Sequence, residues 1–283
     1  MLLGANNNLE NKVILALTKQ GELTADQIRK QVTREGVPVS LQAVYLTLSK
    51  LQREGVLVKK GRQYSIRIAW LLDMSFLVNE MEQTFLQQKY IQTLLPMNEG
   101  DKRQWRFTSL HKMNDFWSQV LLAMAYASGG TIMYDYNPHL WFHLMQTEQE
   151  YQYLKAQFSA IKYGYTLVGS KSFLDSMIVK KYWHFDNAEC HLISPEEAPF
   201  KNMSMYIQAF GNLFLTVKLD VKSVERIEKL FSTVKSQTDL ETSQIMSIFH
   251  EKVKVKMMIE YNSKKALTFK KKFRKIFGIR EIV

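Results

Sequence analysis

Thiol chemistry is almost absent from this chain. Cys190 is the single cysteine among 283 residues, so neither an internal disulfide nor a cysteine-rich zinc site can form. That excludes a stapled secreted scaffold and fits a reducing cytosol. Long apolar runs are missing as well. The best stretch, residues 68–78, is broken by Asp73 and falls short of the roughly 18 apolar residues a membrane span needs. The opening MLLGANNNLENK has no basic segment ahead of an apolar one and does not read as a signal peptide. The expected location is cytoplasmic.

What is present is core material and positive charge. Hydrophobic residues make up 46% of the chain and aromatic ones 12%, which excludes disorder as the main state, and the length suits two domains. The formal charge is +11, unevenly spread: residues 1–70 carry +6, residues 71–249 carry −3, and residues 250–283 carry +8. A slightly acidic middle between two basic ends predicts that the ends meet an anionic polymer or surface.

In the basic amino end, Leu9, Val13, Ile14, Leu15 and Leu17 recur at helical spacing up to Gly21. Thr24 and Gln27 have the spacing of a capping box, so a second helix follows, with Ile28 and Val32 on one face. Gly36 and Pro38 interrupt it, and Ser40 offers the N-cap of a third helix over residues 41–54. On that helix the spacing assigns Leu41, Val44, Tyr45, Leu48 and Leu51 to the buried face. Gln42, Ala43, Leu46, Thr47 and Lys50 are left facing out. Residues 56–59 and 63–66 predict two short strands around a turn carrying Lys59, Lys60 and Arg62.

Three helices and a basic hairpin predict a winged helix-turn-helix over residues 1–68, whose third helix enters the major groove of double-stranded DNA. Ser40, Gln42, Ala43, Thr47 and Lys50 are then the expected base readers, and Lys59, Lys60 and Arg62 the expected phosphate contacts. A protein–protein or architectural module with a solvated charged face is the alternative. The stretch 44–58 resembles the recognition helix and first wing strand of TrmB and PadR-like regulators.

Residues 68–95 hold no Gly or Pro, and Trp70, Met74, Leu77, Met81, Ile91 and Leu95 fit a spacing of about 3.5 residues. A long connecting helix over residues 69–97 is expected, and its apolar stripe suits pairing with a second copy, making a homodimer. The alternative is packing on its own carboxyl-terminal domain. Pro96 marks the boundary.

Beyond it, helical and strand patterns alternate over residues 102–237. A helix at 112–128 ends at Gly129 and Gly130, and strands are expected at 131–136, 165–168 and 190–193. Residues 139–163 read as helical, residues 203–209 and 213–219 as a hairpin, and residues 221–234 as a closing helix. The expected class is α/β, α+β overall, with a mixed sheet.

This order of winged helix, long helix and α/β unit resembles the TrmB family of transcriptional regulators. The similarity lies in the helix leading through Gly129 and Gly130 into residues 131–136, in Ser194, Pro195, Glu196, Glu197, Ala198, Pro199 and Phe200, and in Arg226 to Phe231 of the closing helix. It covers roughly residues 10–235. The resemblance implies a sequence-specific DNA-binding transcriptional regulator with an effector domain related to phospholipase D.

Such enzymes use a His-x-Lys-x4-Asp motif, with His as nucleophile and Lys on the phosphate oxygens. Here His250 and Lys252 are followed by Met257 where the Asp should stand. No catalytic residue and no cofactor are therefore expected, and the chain reads as a non-enzyme; regulatory family members likewise lack the motif. His139 and His143 stand four apart as in zinc helices, but Leu140 occupies the place of a metalloprotease Glu, so no metal site is expected.

The effector domain is expected to sense a ligand or a protein partner, a small-molecule effector having its place at the carboxyl ends of the strands, beside Asp135, Tyr136, Asn137, Trp141, Ser170 and Lys171. The last segment, residues 238–283, is expected to be a basic helical extension that the family resemblance does not imply. In residues 264–277, Phe269, Phe273 and Phe277 recur every four positions among lysines. Such a helix either lies on an anionic membrane surface or packs its Phe stripe on the protein and offers its cations to DNA. An architectural or replication-type DNA binder with a membrane-associating tail is the alternative function, and a phospholipase D-like phosphodiesterase a further one.

Overall fold

Asn8 opens the first helix, α1 (Leu9–Gln20), with its side-chain oxygen accepting from the Asn11 amide at 2.9 Å. Thr24 and Gln27 form the expected reciprocal cap of α2 (Ala25–Arg34): the Thr24 amide donates to Gln27 Oε1 at 2.8 Å and the Gln27 amide to Thr24 Oγ1 at 3.4 Å. Ser40 Oγ caps α3 (Leu41–Arg53) by accepting from the Ala43 amide at 3.1 Å. Strands β1 (Leu23–Thr24), β2 (Leu57–Lys60) and β3 (Gln63–Ile66) form an antiparallel sheet in the order β1-β3-β2, and Gly61, at φ +61°, helps to turn the β2–β3 hairpin. Val13, Ile28, Val32, Val44 and Leu48 are fully shielded from solvent between these elements. Each such side chain contributes about 1.5–3 kcal/mol by leaving water.

In this computed structural model residues 8–34, 36, 38–87, 97–145, 147–200 and 202–279 are described. The chain divides into two units, Met1–Gln87 and Gln88–Val283. The helix α4 (Ile68–Gln87) belongs to the first. Trp70 packs against that unit's core, whereas Ile68, Leu71, Leu72, Phe76, Leu77, Val78 and Met81 are exposed. The expected continuation of the stripe through Ile91 and Leu95 lies outside the described residues.

The second unit is built on a seven-stranded mixed sheet, and the whole chain is α+β. Its elements are β4 (Lys102–Phe107), α5 (Leu110–Ala127), β5 (Ile132–Asn137), a 3-10 turn (Trp141–His143), α6 (Glu148–Ser159), β6 (Tyr163–Val168), α7 (Phe173–Tyr182), β7 (Ala188–Leu192), β8 (Met205–Phe210), β9 (Leu213–Lys218) and α8 (Val221–Thr233). They are followed by α9 (Thr242–His250), β10 (Val255–Tyr261) and α10 (Ser263–Phe277). The strand order is β4-β10-β9-β8-β5-β6-β7, parallel from β5 to β7 and antiparallel elsewhere. Alternation along β5 sends Tyr134 and Tyr136 into one core with Phe269 and Phe273 of α10, and Met133 into the larger core that includes Trp117, Phe158 and Ile227.

Several expectations are corrected. Residues 139–163 are not one helix: Thr147 and Glu150 form a capping box that starts α6 afresh after the 3-10 turn. Residues 238–283 are not an appended extension, because β10 lies between β4 and β9 and α10 covers one sheet face. Of the two readings of residues 264–277, the one that packs the Phe stripe on the protein is met: Phe269 and Phe273 are buried against the sheet and are not available to a bilayer.

Candidate functional site

Two arrangements in the structure carry chemistry, one on each unit. The first is the exposed side of α3 and the β2–β3 hairpin. Val44, Leu48 and Leu51 are buried as the spacing requires, but Leu41 and Tyr45 are exposed, a correction to the expected buried face. The outward face is therefore Gln42, Tyr45, Leu46, Ser49 and Arg53, positions spaced by three or four residues.

The expected readers divide accordingly. Gln42 is exposed and, among the described residues, its side chain makes no hydrogen bond, whereas the Ser40 hydroxyl is occupied in capping. Ala43 and Thr47 are half-buried, and Thr47 Oγ1 donates to the Ala43 carbonyl at 3.0 Å. Lys50 is exposed, but its ammonium is 2.6 Å from Glu10 and 3.8 Å from Glu54, and these carboxylates raise its pKa. Sequence spacing missed Tyr45, Ser49 and Arg53; the signal that could have found them is the i+3, i+4, i+7 progression from Gln42. On the hairpin, Lys59, Lys60 and Arg62 are all exposed, with Lys59 Nζ 5.5 Å from the centre of the Tyr64 ring.

The second arrangement is buried. Register aligns Gln208 of β8, Asp135 of β5, Thr166 of β6 and Cys190 of β7 in one row across the sheet. The Asp135 carboxylate accepts from Gln208 Nε2 and Asn137 Nδ2, each at 2.7 Å, and from Thr166 Oγ1 at 3.4 Å. Burial pushes its pKa up to about 6 against these three hydrogen bonds. Burial likewise raises the Cys190 thiol, so it is not poised as a thiolate.

Asp135 and Gln208 line a cavity of about 50 Å³ that extends to Asn114 and Trp117 of α5, Phe142 and Glu150. Glu150 is itself buried and accepts from Asn114 Nδ2 and from the Thr147 amide; burial raises its pKa. Gln208 Oε1 and Trp117 Nε1 are buried without a hydrogen-bond partner.

A neighbouring cluster locks the end of β5 to α7 and α8. His139 Nδ1 is 2.7 Å from Asp175 Oδ2, and Nε2 is 3.2 Å from Glu228 Oε1. Asp175 also accepts from the Leu140 amide at 2.9 Å and from Ser172 Oγ at 2.8 Å. Burial depresses the imidazole's pKa, but the two carboxylates outweigh it and hold the group at about 9.

Of the effector residues expected from sequence, only Asp135 reaches the cavity. Asn137 is buried in the Asp135 network, Trp141 is fully buried in the core, and Ser170 Oγ accepts from the Ser172 amide. Lys171 is exposed and pairs with Glu197 at 3.3 Å, and Tyr136 faces the opposite side of the sheet. The cavity lies beside the mid-strand row, not at the strand ends, because α5 and α6 cover the sheet there.

No protein-family model matches the chain, and no curated protein matches it. Solved structures do. One is TrmBL2, an archaeal chromatin protein described as showing a novel mode of DNA binding, with 12% identity over 98% of this chain and 95% of that chain, TM-score 0.35. A second is polyphosphate kinase from Porphyromonas gingivalis, with 9% identity over 66% of this chain and 26% of that one, TM-score 0.38. A third is NucT from Helicobacter pylori, with 9% identity over 63% and 97%, TM-score 0.35. The expectation of a non-enzyme is withdrawn. Among the described residues no helix is long and apolar enough to cross a membrane.

Proposed function

We propose that the chain is a cytoplasmic, sequence-specific DNA-binding transcriptional regulator that acts as a homodimer. The observation that carries this reading is the combination, within the first unit, of an exposed α3 face bearing Gln42, Ser49 and Arg53 and a hairpin tip bearing Lys59, Lys60 and Arg62. Three helices with such a hairpin suit a winged helix, in which α3 enters the major groove and the wing lies on the flanking backbone. A Gln side chain can bond adenine in two places through its amide, and the lysines neutralise phosphates. Tyr45, Ser49 and Arg53 join Gln42 on the reading face, while Lys50 serves chiefly to tie α3 to α1 through Glu10.

The exposed apolar side chains of α4 support pairing with a second copy, since seven such residues on one helix are costly to leave in water. The second unit, with a cavity that meets the buried carboxylates of Asp135 and Glu150, responds in this reading to a small molecule that biases DNA binding. Selecting bound duplexes from a random pool tests the proposal. One recurring two-fold-symmetric sequence is the expected result; recovery of no preferred sequence contradicts it.

A further inference from the structure

The cavity beneath α5 and α6 has a chemical bias of its own. Its lining includes two buried carboxylates, Asp135 and Glu150, and no lysine or arginine. Asp135 accepts only from neutral groups, two amides and a hydroxyl, and among the described residues neither carboxylate has a lysine or arginine partner. A buried negative charge held by neutral donors alone is poorly compensated, and a cation is what would compensate it.

Beside Asp135, Gln208 spends its Nε2 on the carboxylate while its Oε1, 2% exposed as a residue, has no donor. The vacant acceptor and the carboxylate it supports suit a ligand with several N–H donors on one centre, as an ammonium has. The remaining walls include the rings of Trp117, Phe142 and Trp183, whose faces attract organic cations. A volume of about 50 Å³ admits a group of only a few heavy atoms.

We propose that this cavity binds a small organic cation, an alkylammonium, with its N–H donors on Asp135 and Gln208 Oε1 and its carbon atoms against the rings. The partnerless indole N–H of Trp117 would accommodate a hydroxyl on the same ligand. This rests on the reading of the second unit as ligand-responsive, and names the class of ligand. A ligand carrying its own carboxylate is disfavoured, because it would meet Asp135 and Glu150.

Calorimetric titration of the full chain with ethanolamine, ethylammonium, glycine, potassium ion and the neutral ethylene glycol tests the assignment. Saturable binding of the two amines is expected, weakened more than about tenfold by Asp135→Asn. A second variant, Ser118→Leu, fills the cavity from its half-buried wall without touching the Asp135 network, and it should abolish binding with the circular dichroism spectrum unchanged. Ethylene glycol, glycine or potassium binding as well as the amines overturns the cation class, and so does no binding of either amine. If the amines bind but leave DNA affinity unchanged, the cavity assignment stands and the ligand-responsive reading fails. If they do not bind while DNA binding persists, the cavity assignment alone falls.

Discussion

The two units differ in the charge they bury. In the first, Arg53, Lys59, Lys60 and Arg62 stand outside a core that is hydrophobic apart from Lys12. In the second, Asp135, His139, Glu150 and Asp175 are inside, each held by named hydrogen bonds or ion pairs. The first unit can exchange its surface charges and keep its fold, whereas the second cannot give up one member of a buried pair without stranding the other. Positive charge alone does not separate function from architecture either. The α10 helix is as lysine-rich as any segment, yet its Phe273 is fully buried in the sheet's core and Lys265 pairs with Glu260.

The contrast can be broken most forcefully at Asp175. Replacing it by Ala strands His139 Nδ1 and the Leu140 amide, and should cost the second unit about 3–5 kcal/mol. Hydrogen exchange would show lost protection in β5 and α7 with α1 to α3 unaffected; equal losses in both units would dissolve the contrast.

Titration offers a milder version of the same break. His139 is held at about 9, above its ordinary 6.5, so it favours folding fully below pH 6.5 and that favour is lost as pH rises through about 9. The second unit should lose up to about 3 kcal/mol over that interval in denaturant melts, and His139→Gln should flatten the profile. Asp135, raised from 3.8 to about 6, acts lower on the scale: its contribution is complete below pH 3.8 and is lost as pH rises through about 6.

On the outer face the effects move from stability to recognition. Gln42→Ala should relax preference at one base pair by about 1–3 kcal/mol, measured by competition between duplexes, with the melting curve unchanged. Smallest of all, Lys60→Ala should change folding stability by no more than about 0.5 kcal/mol.

The first unit was largely legible because its local signals agree with one another. The Thr24–Gln27 cap, Ser40 and the apolar spacing of Val44, Leu48 and Leu51 all specify the same helices. Tyr45 was misplaced because an amphipathic aromatic fits either side of a helix by spacing alone, and only the packed core decides.

In the second unit β5 to β9 are readable from sequence, whereas the spacing around β10 predicts helix. Val255, Met257, Ile259 and Tyr261 alternate with Lys256 and Glu260, a period of two that the flanking helical residues mask. β4, with Lys102, Arg103 and Arg106 on an edge strand, shows too little apolar surface to announce itself. The cavity is legible only at Asp135, expected at the carboxyl end of its strand and found in the row across the middle of the sheet. Its other walls come from helices and strands that only the fold brings together, and no local pattern encodes that meeting.

The most direct test of the central claim is duplex DNA affinity measured against salt concentration, for the wild-type chain and for a Lys59→Ala, Lys60→Ala, Arg62→Ala variant. Wild-type affinity should fall linearly on logarithmic axes, and the variant's slope should be shallower by about one for each phosphate contact removed, about three in all. A wild-type affinity indifferent to salt, or a variant slope equal to the wild type's, would contradict the account.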